Sequence, residues 1–556
     1  MLRHALRLRA AAPAGRFSRH SGTVASPATD NAPVLGWMGR PETDANRPLE
    51  EDEFFPARTP ADVDREHFRE APSVRFWNAW RHDDSKSPAA SVADILAQIS
   101  AATKSPADAA YWAYHVFRSS WFLGQGAAGM LVSSVAGAGP DAAPSLSRAR
   151  AGAAAAERLV SEAVQVYKQD LKRVNDGTHR APYDMDPRHR QFNPAFVADK
   201  SLRFASEARS TLRKHAAATK QRASPESGRE ATEAADAVPG TRVWLSSPLY
   251  PDYYLNTFHW QTDGWLSKES AKVYEVSTET LFVGRQDAMQ RTALAPLREW
   301  FDETQQSATG ENVKLLEMAC GTGRFLTFTR DTYPQIDAVG LDLSPFYLAE
   351  ARENAQYWER FTAGVTSSRF VKNAGNEKAQ KRVASLATEA LRQVGNLAKA
   401  AGVPTPPLPA ALREAVETFS AAEDEKTRYV PSLGRCEFVQ AAAESMPFPD
   451  ESFDAVTCVY LFHELPPAVR REAAREAARV LKPGGVFILA DSIQLGDRPR
   501  VDAHLGRFGD FNEPYYRSWL REDTVELFGE RGAGLEPWTK ELCSSTKVLS
   551  FRKPLK

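Results

Sequence analysis

The chain has 556 residues, 42% of them hydrophobic and 25% charged, enough to bury a sizeable core and to hold two or more folding units of ~100–200 residues each. Lysine plus arginine (70) nearly cancels aspartate plus glutamate (71), which removes any whole-chain electrostatic case for nucleic acid or an anionic membrane surface. Cys320, Cys436, Cys458 and Cys543 are widely separated without CxxC spacing, which argues against a zinc site or a disulfide framework and for a reducing compartment.

Residues 1–35 open with MLRHALRLRAAAPAGRFSRH, rich in arginine, with alanine and serine and no acid before Asp30. Without the apolar core of a secretory signal, this is the composition of an organellar transit peptide, mitochondrial with plastid as the rival. Residues 36–72, rich in proline and acid, read as a linker, and 73–300 as a mostly helical N-terminal region. Within it, 108–139 is the most apolar stretch and is uncharged from Ser119 to Gly137. Its glycines, serines and Gln125 favour a buried helix, or one in peripheral membrane contact, over a bilayer span. From Ala149 to Gly177 apolar residues recur at helical spacing (Leu159, Ala163, Val166, Leu171, Val174), and PYDMDPRHRQFNPAF then reads as a loop. In the segment 246–290, Tyr250, Tyr253, Tyr254, Phe258, His259, Trp260 and Trp265 are interleaved with Asn256, Gln261, Thr262 and Asp263, which suits a pocket wall: ring area with polar edges that seek partners.

The last region, 301–556, carries the clearest pattern. VKLLEMA is an apolar run, CGTG a turn, RFLTFTRDTYP a helix, IDAVGLDLS a second strand and PFYLAEARENAQYW a second helix with Pro345 at its start, which makes one βαβ unit. Gly321 and Gly323 let backbone N–H groups approach a ligand, and Asp342, nineteen residues beyond Gly323, ends the second strand where a carboxylate takes ribose hydroxyls. Dinucleotide and methyl-donor sites share that geometry. The dinucleotide fingerprint needs a third glycine or alanine where Leu326 stands, and it fails. The chain has ExxxGxG instead, with Glu317 four residues before the first glycine, placed to meet an ammonium group directly or through water. S-adenosylmethionine has an ammonium group and no phosphate. Downstream, SFDAVTCVYLF reads as a buried strand, PPAVRREAAREAARVL as a helix, KPGG as its stop and tight turn, and VFILADS as the next strand. Alternating strands and helices imply a doubly wound α/β sheet that binds ligands at its carboxyl edge. The insertion 359–435, alanine-rich and charged with GVPTPPLPA at its centre, reads as a solvated helical hairpin or partly disordered excursion.

The ordered set LLEMACGTGRF, VGLDLSPFYLAEA, AAAESMPFPDESFDAV, LFHELP and EAARVLKPGGVFILADS resembles the class I S-adenosylmethionine-dependent methyltransferases, in their UbiE-like (methyltransferase type 11) branch, over about 312–358 and 436 onward. The resemblance implies a Rossmann-like methyltransferase sheet beside the helical N-terminal region, and S-adenosyl-L-methionine as cofactor. It assigns Glu317 and the backbone of Ala319, Gly321 and Gly323 to the methionine portion, Asp342 and Leu343 to the ribose, and Tyr460 to the same site. The family's acid after the third strand is replaced by Ala441, Ala442 and Ala443, so adenine recognition falls to Ala443 and Glu444, with Glu444 as the substitute acid. Ala319 stands where the family often has glycine, a mild change if its φ stays negative. His463, in LFHEL, is the candidate base with Glu464 to orient it, and His259 and Asp263 are comparable candidates. No metal is expected.

The expected function is methyl transfer to a small acceptor, aromatic or lipophilic and quinone-like, with no nucleic acid. The alternative is a methyltransferase-fold assembly or scaffold subunit of an organellar complex, with an organellar protein partner and weak or no catalysis. A nicotinamide dehydrogenase comes third because of Leu326.

Overall fold

Parallel strands packed between two layers of helices are buried on both faces, and the apolar runs of this chain are placed accordingly. The computed structural model describes residues 56–137, 146–193, 196–197, 199–207, 250–255, 264–363, 433–505, 513 and 515–555. Among these, the strands are β1 (Arg69–Glu70), β2 (Lys314–Met318), β3 (Asp337–Asp342), β4 (Cys436–Gln440), β5 (Phe453–Val459), β6 (Leu481–Ser492), β7 (Glu536–Cys543) and β8 (Thr546–Arg552). They form one sheet in the order β1-β7-β8-β6-β5-β2-β3-β4. Every neighbouring pair is parallel except that β8 runs antiparallel to both β6 and β7. The chain leaves β2 towards β3 and β4 on one side and resumes with β5 and β6 on the other. The topological switch point, where ligands of open α/β sheets bind, therefore lies at the carboxyl ends of β2 and β5.

Residues 60–70, expected as linker, are structured. Helix α1 (Pro60–His67) starts at a capping box in which Thr59 and Asp62 satisfy each other's backbone N–H groups, and β1 then pairs with β7 and lengthens the sheet. The expected boundary near 300 also gives way. Helices α2 (Pro72–Ala79), α3 (Pro88–Ala102), α4 (Pro106–Gly137) and α5 (Leu146–Asn175) bury Trp77, Trp112, Val166 and Tyr167 in one cluster with Ile493, Leu542 and Cys543 of the sheet region. Truncating either tryptophan to alanine would cost about 3–5 kcal/mol. The described residues all fall within one unit, Trp37–Lys556. The expected loop after α5 contains two short 3-10 turns, Tyr183–Met185 and Arg190–Phe192. No helix among the described residues is long and apolar enough to cross a membrane.

Helices α6 (Lys268–Leu281), α7 (Gln286–Gln290) and α8 (Leu294–Glu303) lead into β2. The glycine turn feeds α9 (Arg324–Thr332), and α10 (Pro345–Thr362) begins with Pro345 behind the Ser344 cap, whose Oγ accepts the Tyr347 N–H at 3.2 Å. Helix α11 (Pro467–Val480) is the long helix between β5 and β6. KPGG, expected as a turn, lies inside β6, where pairing with β5 slips between Leu481 and Val486. Residues 1–35 and most of the 359–435 insertion lie outside the described residues.

Two buried ionic clusters lock the helical cover to the sheet. Lys540 lies 2.9 Å from Asp64 and 2.6 Å from Asp497, and Lys547 pairs with the same two acids. Arg118 of α4 holds Glu279 at 2.7 Å and Asp287 at 2.6 Å, and Arg324 of α9 reaches Asp287 at 2.6 Å and also pairs with Asp184. Burial would raise the Asp287 carboxyl, but Arg324 and Arg118 outweigh it and hold it at about 2.

Candidate active site

Two cavities open at the carboxyl edge of the sheet. The smaller, about 80 Å3, sits on the switch point and is lined by the turn after β2 (Ala319, Gly321), the end of β3 (Asp342, Leu343), Ala441 to Ala443 after β4 and Tyr460 after β5. Gly321, at φ 54°, donates its N–H to Asp342 Oδ2 at 2.9 Å, and Ser344 N–H reaches Asp342 Oδ1 at 2.8 Å. Each oxygen keeps acceptor capacity for a ligand hydroxyl. Burial outweighs these two hydrogen bonds and pushes Asp342 up to about 6. Glu317 is buried, its Oε2 has no hydrogen-bond partner, and burial raises its carboxyl well above the usual carboxylate range. Glu317 and Gly323 do not themselves line this cavity; Gly323, at φ 70°, caps α9.

The backbone corrects the expectation for Ala319. Its φ is 53°, in the left-handed region, and Tyr460 at the facing strand end is at 56°. Both ends of the switch point thus hold non-glycine residues in a conformation that costs roughly 1–2 kcal/mol each. Glu444 does not line the cavity: its Oε1 accepts the Tyr253 hydroxyl at 2.7 Å, so the expected substitute acid is turned to the aromatic segment, while Glu464 after β5 lines the cavity with Ala441 to Ala443. That segment does form a wall. Tyr253, Tyr254 and Trp265 line the smaller cavity, and Trp265, Tyr274 and Tyr347 pack edge-on at 5.2–5.7 Å between ring centres. His259 and Asp263 lie outside the described residues.

The larger cavity, about 230 Å3, shares Tyr274 and Tyr460 with the smaller one. Neither reaches the ~300 Å3 typical of small-molecule sites, but the two together do. Its walls come from across the chain: Trp80 and His82 after α2, Leu159 and Glu162 of α5, Thr278 and Leu281 of α6, and Ile493 after β6. His463 lines this cavity and not the smaller one. Its Nδ1 lies 2.6 Å from Asp491 Oδ1 at the end of β6, whereas Glu464, the expected orienting acid, is 3.8 Å from Nε2. Asp491 also accepts the Phe462 N–H at 2.8 Å and the Ser492 N–H at 2.6 Å, which fixes it beneath the ring. Burial alone would lower the His463 imidazole, but Asp491 overcomes it and raises it to about 9. At neutral pH the ring is an imidazolium, a hydrogen-bond donor rather than a resting base.

The cover also holds the glycine turn. Thr322 Oγ1 donates to Glu275 of α6 at 2.9 Å, and Asn354 of α10 donates to the Thr322 carbonyl at 3.0 Å. Asp491, Tyr274 and Arg285 were missed in the sequence. Asp491 was recoverable as a strand-end acid in VFILADS, the same signal that identified Asp342. Tyr274 and Arg285 carry no local signal, because they reach the site only through the packing of α6 and the turn after it.

The strand order, with its antiparallel β8, and the motif residues gathered at its switch point define a class I methyl-donor fold, and comparison with known proteins agrees. The Methyltransferase domain family matches residues 412–489. Its match begins within the insertion, which separates the βαβ unit at 314–362 from the rest of the sheet. The uncharacterized methyltransferase YcgJ of Bacillus subtilis is 37% identical over 115 residues, 21% of this chain and 41% of that protein. The ubiquinone/menaquinone biosynthesis C-methyltransferase UbiE of Salmonella arizonae is 39% identical over 67 residues, 12% of this chain and 26% of that protein. The matched stretches thus span less than half the length of these curated relatives. Among solved structures, a SAM-dependent methyltransferase from Aquifex aeolicus aligns with 14% identity and a TM-score of 0.25, covering 47% of this chain and 88% of that one. These matches support a class I S-adenosylmethionine-dependent methyltransferase domain of the UbiE-like branch. S-adenosylmethionine is the cofactor these residues fit: the unpartnered Glu317 Oε2 calls for a hydrogen-bond donor, Asp342 offers lone pairs to hydroxyls, and aromatic rings wall off water.

Proposed function

We propose that the protein transfers a methyl group from S-adenosylmethionine to a small acceptor, aromatic or lipophilic and quinone-like, seated in the larger cavity. The observation that carries this reading is the meeting of the two cavities at Tyr274 and Tyr460, with motif residues in one and the His463–Asp491 pair in the wall of the other. The cofactor supplies an electrophilic methyl group on a sulfonium. The protein supplies alignment and exclusion of water. Asp342 holds the hydroxyl end of the donor. Glu317, whose Oε2 is unpartnered behind the cavity wall, is the acid left for its ammonium end through the glycine turn or water, and Tyr274 and Tyr460 form the partition across which the acceptor is aimed. His463, charged at neutral pH, donates a hydrogen bond to an acceptor oxygen and stabilises negative charge there; it takes up a proton only above about pH 9. The acceptor class is supported by the printed name of the UbiE relatives and by the apolar lining at Leu159, Leu281 and Phe282.

Isothermal titration of the intact protein with S-adenosylmethionine tests the donor half, and absence of binding removes the reading. A scaffold role in an organellar complex is the second reading, motivated by the all-alanine segment Ala441–Ala443 and the strained Ala319. Donor binding without turnover on extracted metabolites, together with stable copurification in a complex, would favour it. The organellar address is likewise proposed, mitochondrial before plastid, and fusion of residues 1–35 to a fluorescent protein reads it directly.

A further inference from the structure

Arg285 is buried in the wall of the larger cavity, 1% exposed, and its Nε and Nη1 have no hydrogen-bond partner. Other buried arginines have a carboxylate partner: Arg291 pairs with Asp170 at 2.7 Å and Arg470 with Glu522 at 2.7 Å, and Arg330, whose Nε and Nη1 also lack a hydrogen bond, has Glu359 at 2.9 Å. Glu162, which shares the wall with Arg285, is already committed. It takes hydrogen bonds from Arg498 and from Ser544, each at 2.6 Å. Burial would raise the Glu162 carboxyl, but Arg498, with Arg285 behind it, holds it at about 2.

The backbone is shaped to put this cation there. Val283 and Gly284, immediately before it, are both left-handed, at φ 54° and 80°. A β-branched residue in that region is a genuine outlier, of the kind that persists where the surrounding structure over-determines it. A Cβ on Gly284 would lie 3.2 Å from the Ser119 backbone of α4, so the turn is pressed against the cover. A buried guanidinium with two unmet N–H groups is costly, and a neutral ligand meets them less well than an anion. The wall mixes apolar Leu159, Phe282 and Ile493 with the neutral polar Thr278, Gln286 and Ser492, while the imidazolium of His463 adds a second positive group.

We infer that the acceptor carries a carboxylate on an aromatic or apolar body, and that Arg285 receives it. This rests on the larger cavity being the acceptor site. A carboxylate is favoured over a phosphate because Arg498 and Arg158 in the same wall are neutralised by Glu162 and Asp84, which leaves no second buried unpaired arginine among the described lining residues. The guanidinium also matches carboxylate geometry.

Calorimetric titration of the full chain with cinnamate, cinnamamide and phenyl phosphate tests this, alongside S-adenosylmethionine. Cinnamate should bind roughly tenfold or more tighter than cinnamamide. Arg285→Gln should abolish that preference and Arg285→Lys should keep part of it, both with unchanged affinity for S-adenosylmethionine. Without probe, Arg285→Gln should unfold no earlier than the natural protein, since it removes a buried cation with two unmet N–H groups while Arg498 stays paired with Glu162; a purely structural arginine would lower the unfolding temperature. Equal binding of acid and amide, an acid preference that survives Arg285→Gln, tighter binding of phenyl phosphate, or no binding of cinnamate would each overturn the inference. Loss of S-adenosylmethionine binding with the acid preference intact would overturn the donor half of the methyl-transfer reading alone.

Discussion

The donor seat and the larger cavity, proposed for the acceptor, adjoin, yet they are built in opposite ways. The donor seat is made mostly of residues that directly follow strand ends, so each enters the site because its strand ends there. The acceptor cavity draws on residues from Trp80 to Ser545 and exists only because a helical cover closes over the sheet edge. The first kind of site is set by local spacing, the second by tertiary convergence, and the two should respond differently to substitution.

The largest expected effect comes from cutting the cover from the sheet. Arg324→Met would leave buried Asp184 and Asp287 to Arg118 alone and remove the tie to α9, at a cost of up to roughly 3–5 kcal/mol in urea denaturation. One shifted transition is expected; two transitions with only one shifted would show that cover and sheet are separable. Next, Asp342→Ala should weaken S-adenosylmethionine binding roughly ten- to a hundredfold, whereas Leu281→Trp, which fills the acceptor cavity, should leave it nearly unchanged. Equal losses would mean that the two cavities are one functional site.

Acidity separates them further. Donor binding favours the ionised Asp342 carboxylate, which burial has raised to about 6, so affinity should be flat above neutrality and fall by up to about tenfold per pH unit below that value. His463 should titrate near 9 by NMR and return towards about 6.5 in Asp491→Asn. If the imidazolium is the working form, kcat/KM falls as pH rises through 9; a rise would make His463 the base. The smallest effect is Ala319→Gly. Relief of the left-handed strain, ~1–2 kcal/mol, is offset by about 0.4–1 kcal/mol of unfolded-chain entropy, for a net gain of order 1 kcal/mol or less by denaturation.

The same contrast governs what could be read beforehand. The alternation of strand and helix and the positions of Ala319, Gly321, Asp342, Leu343 and Tyr460 at one edge were legible because strand ends and glycine turns are local features. The sign of φ at Ala319 was not, because alanine itself permits the negative value. His463 was found, but its partner was misassigned to the neighbouring Glu464; the true partner sits on the adjacent strand, where register rather than sequence distance decides contact. Arg285 was invisible, since an arginine after a glycine in an otherwise mixed stretch reads as surface until α4 is seen to cover it. The linker at 36–72 was misjudged at its end because proline and acid serve as helix-start chemistry as readily as loop chemistry.

Asp64 has consequences for the order in which the molecule assembles. Its hydrogen-bond partner Lys540 is 476 positions later in the chain, and Gln169 of α5 likewise donates to the Leu542 carbonyl at 2.9 Å. A chain emerging from the ribosome can close the β2–β3 turn as soon as those residues appear, but α1, α2 and α5 must wait for the final hairpin before their anchors exist. Such long-range closure is slow, and it comes late. The lining of the donor seat is therefore complete in the growing chain by Leu465, whereas that of the larger cavity waits for Ser545 in the final hairpin.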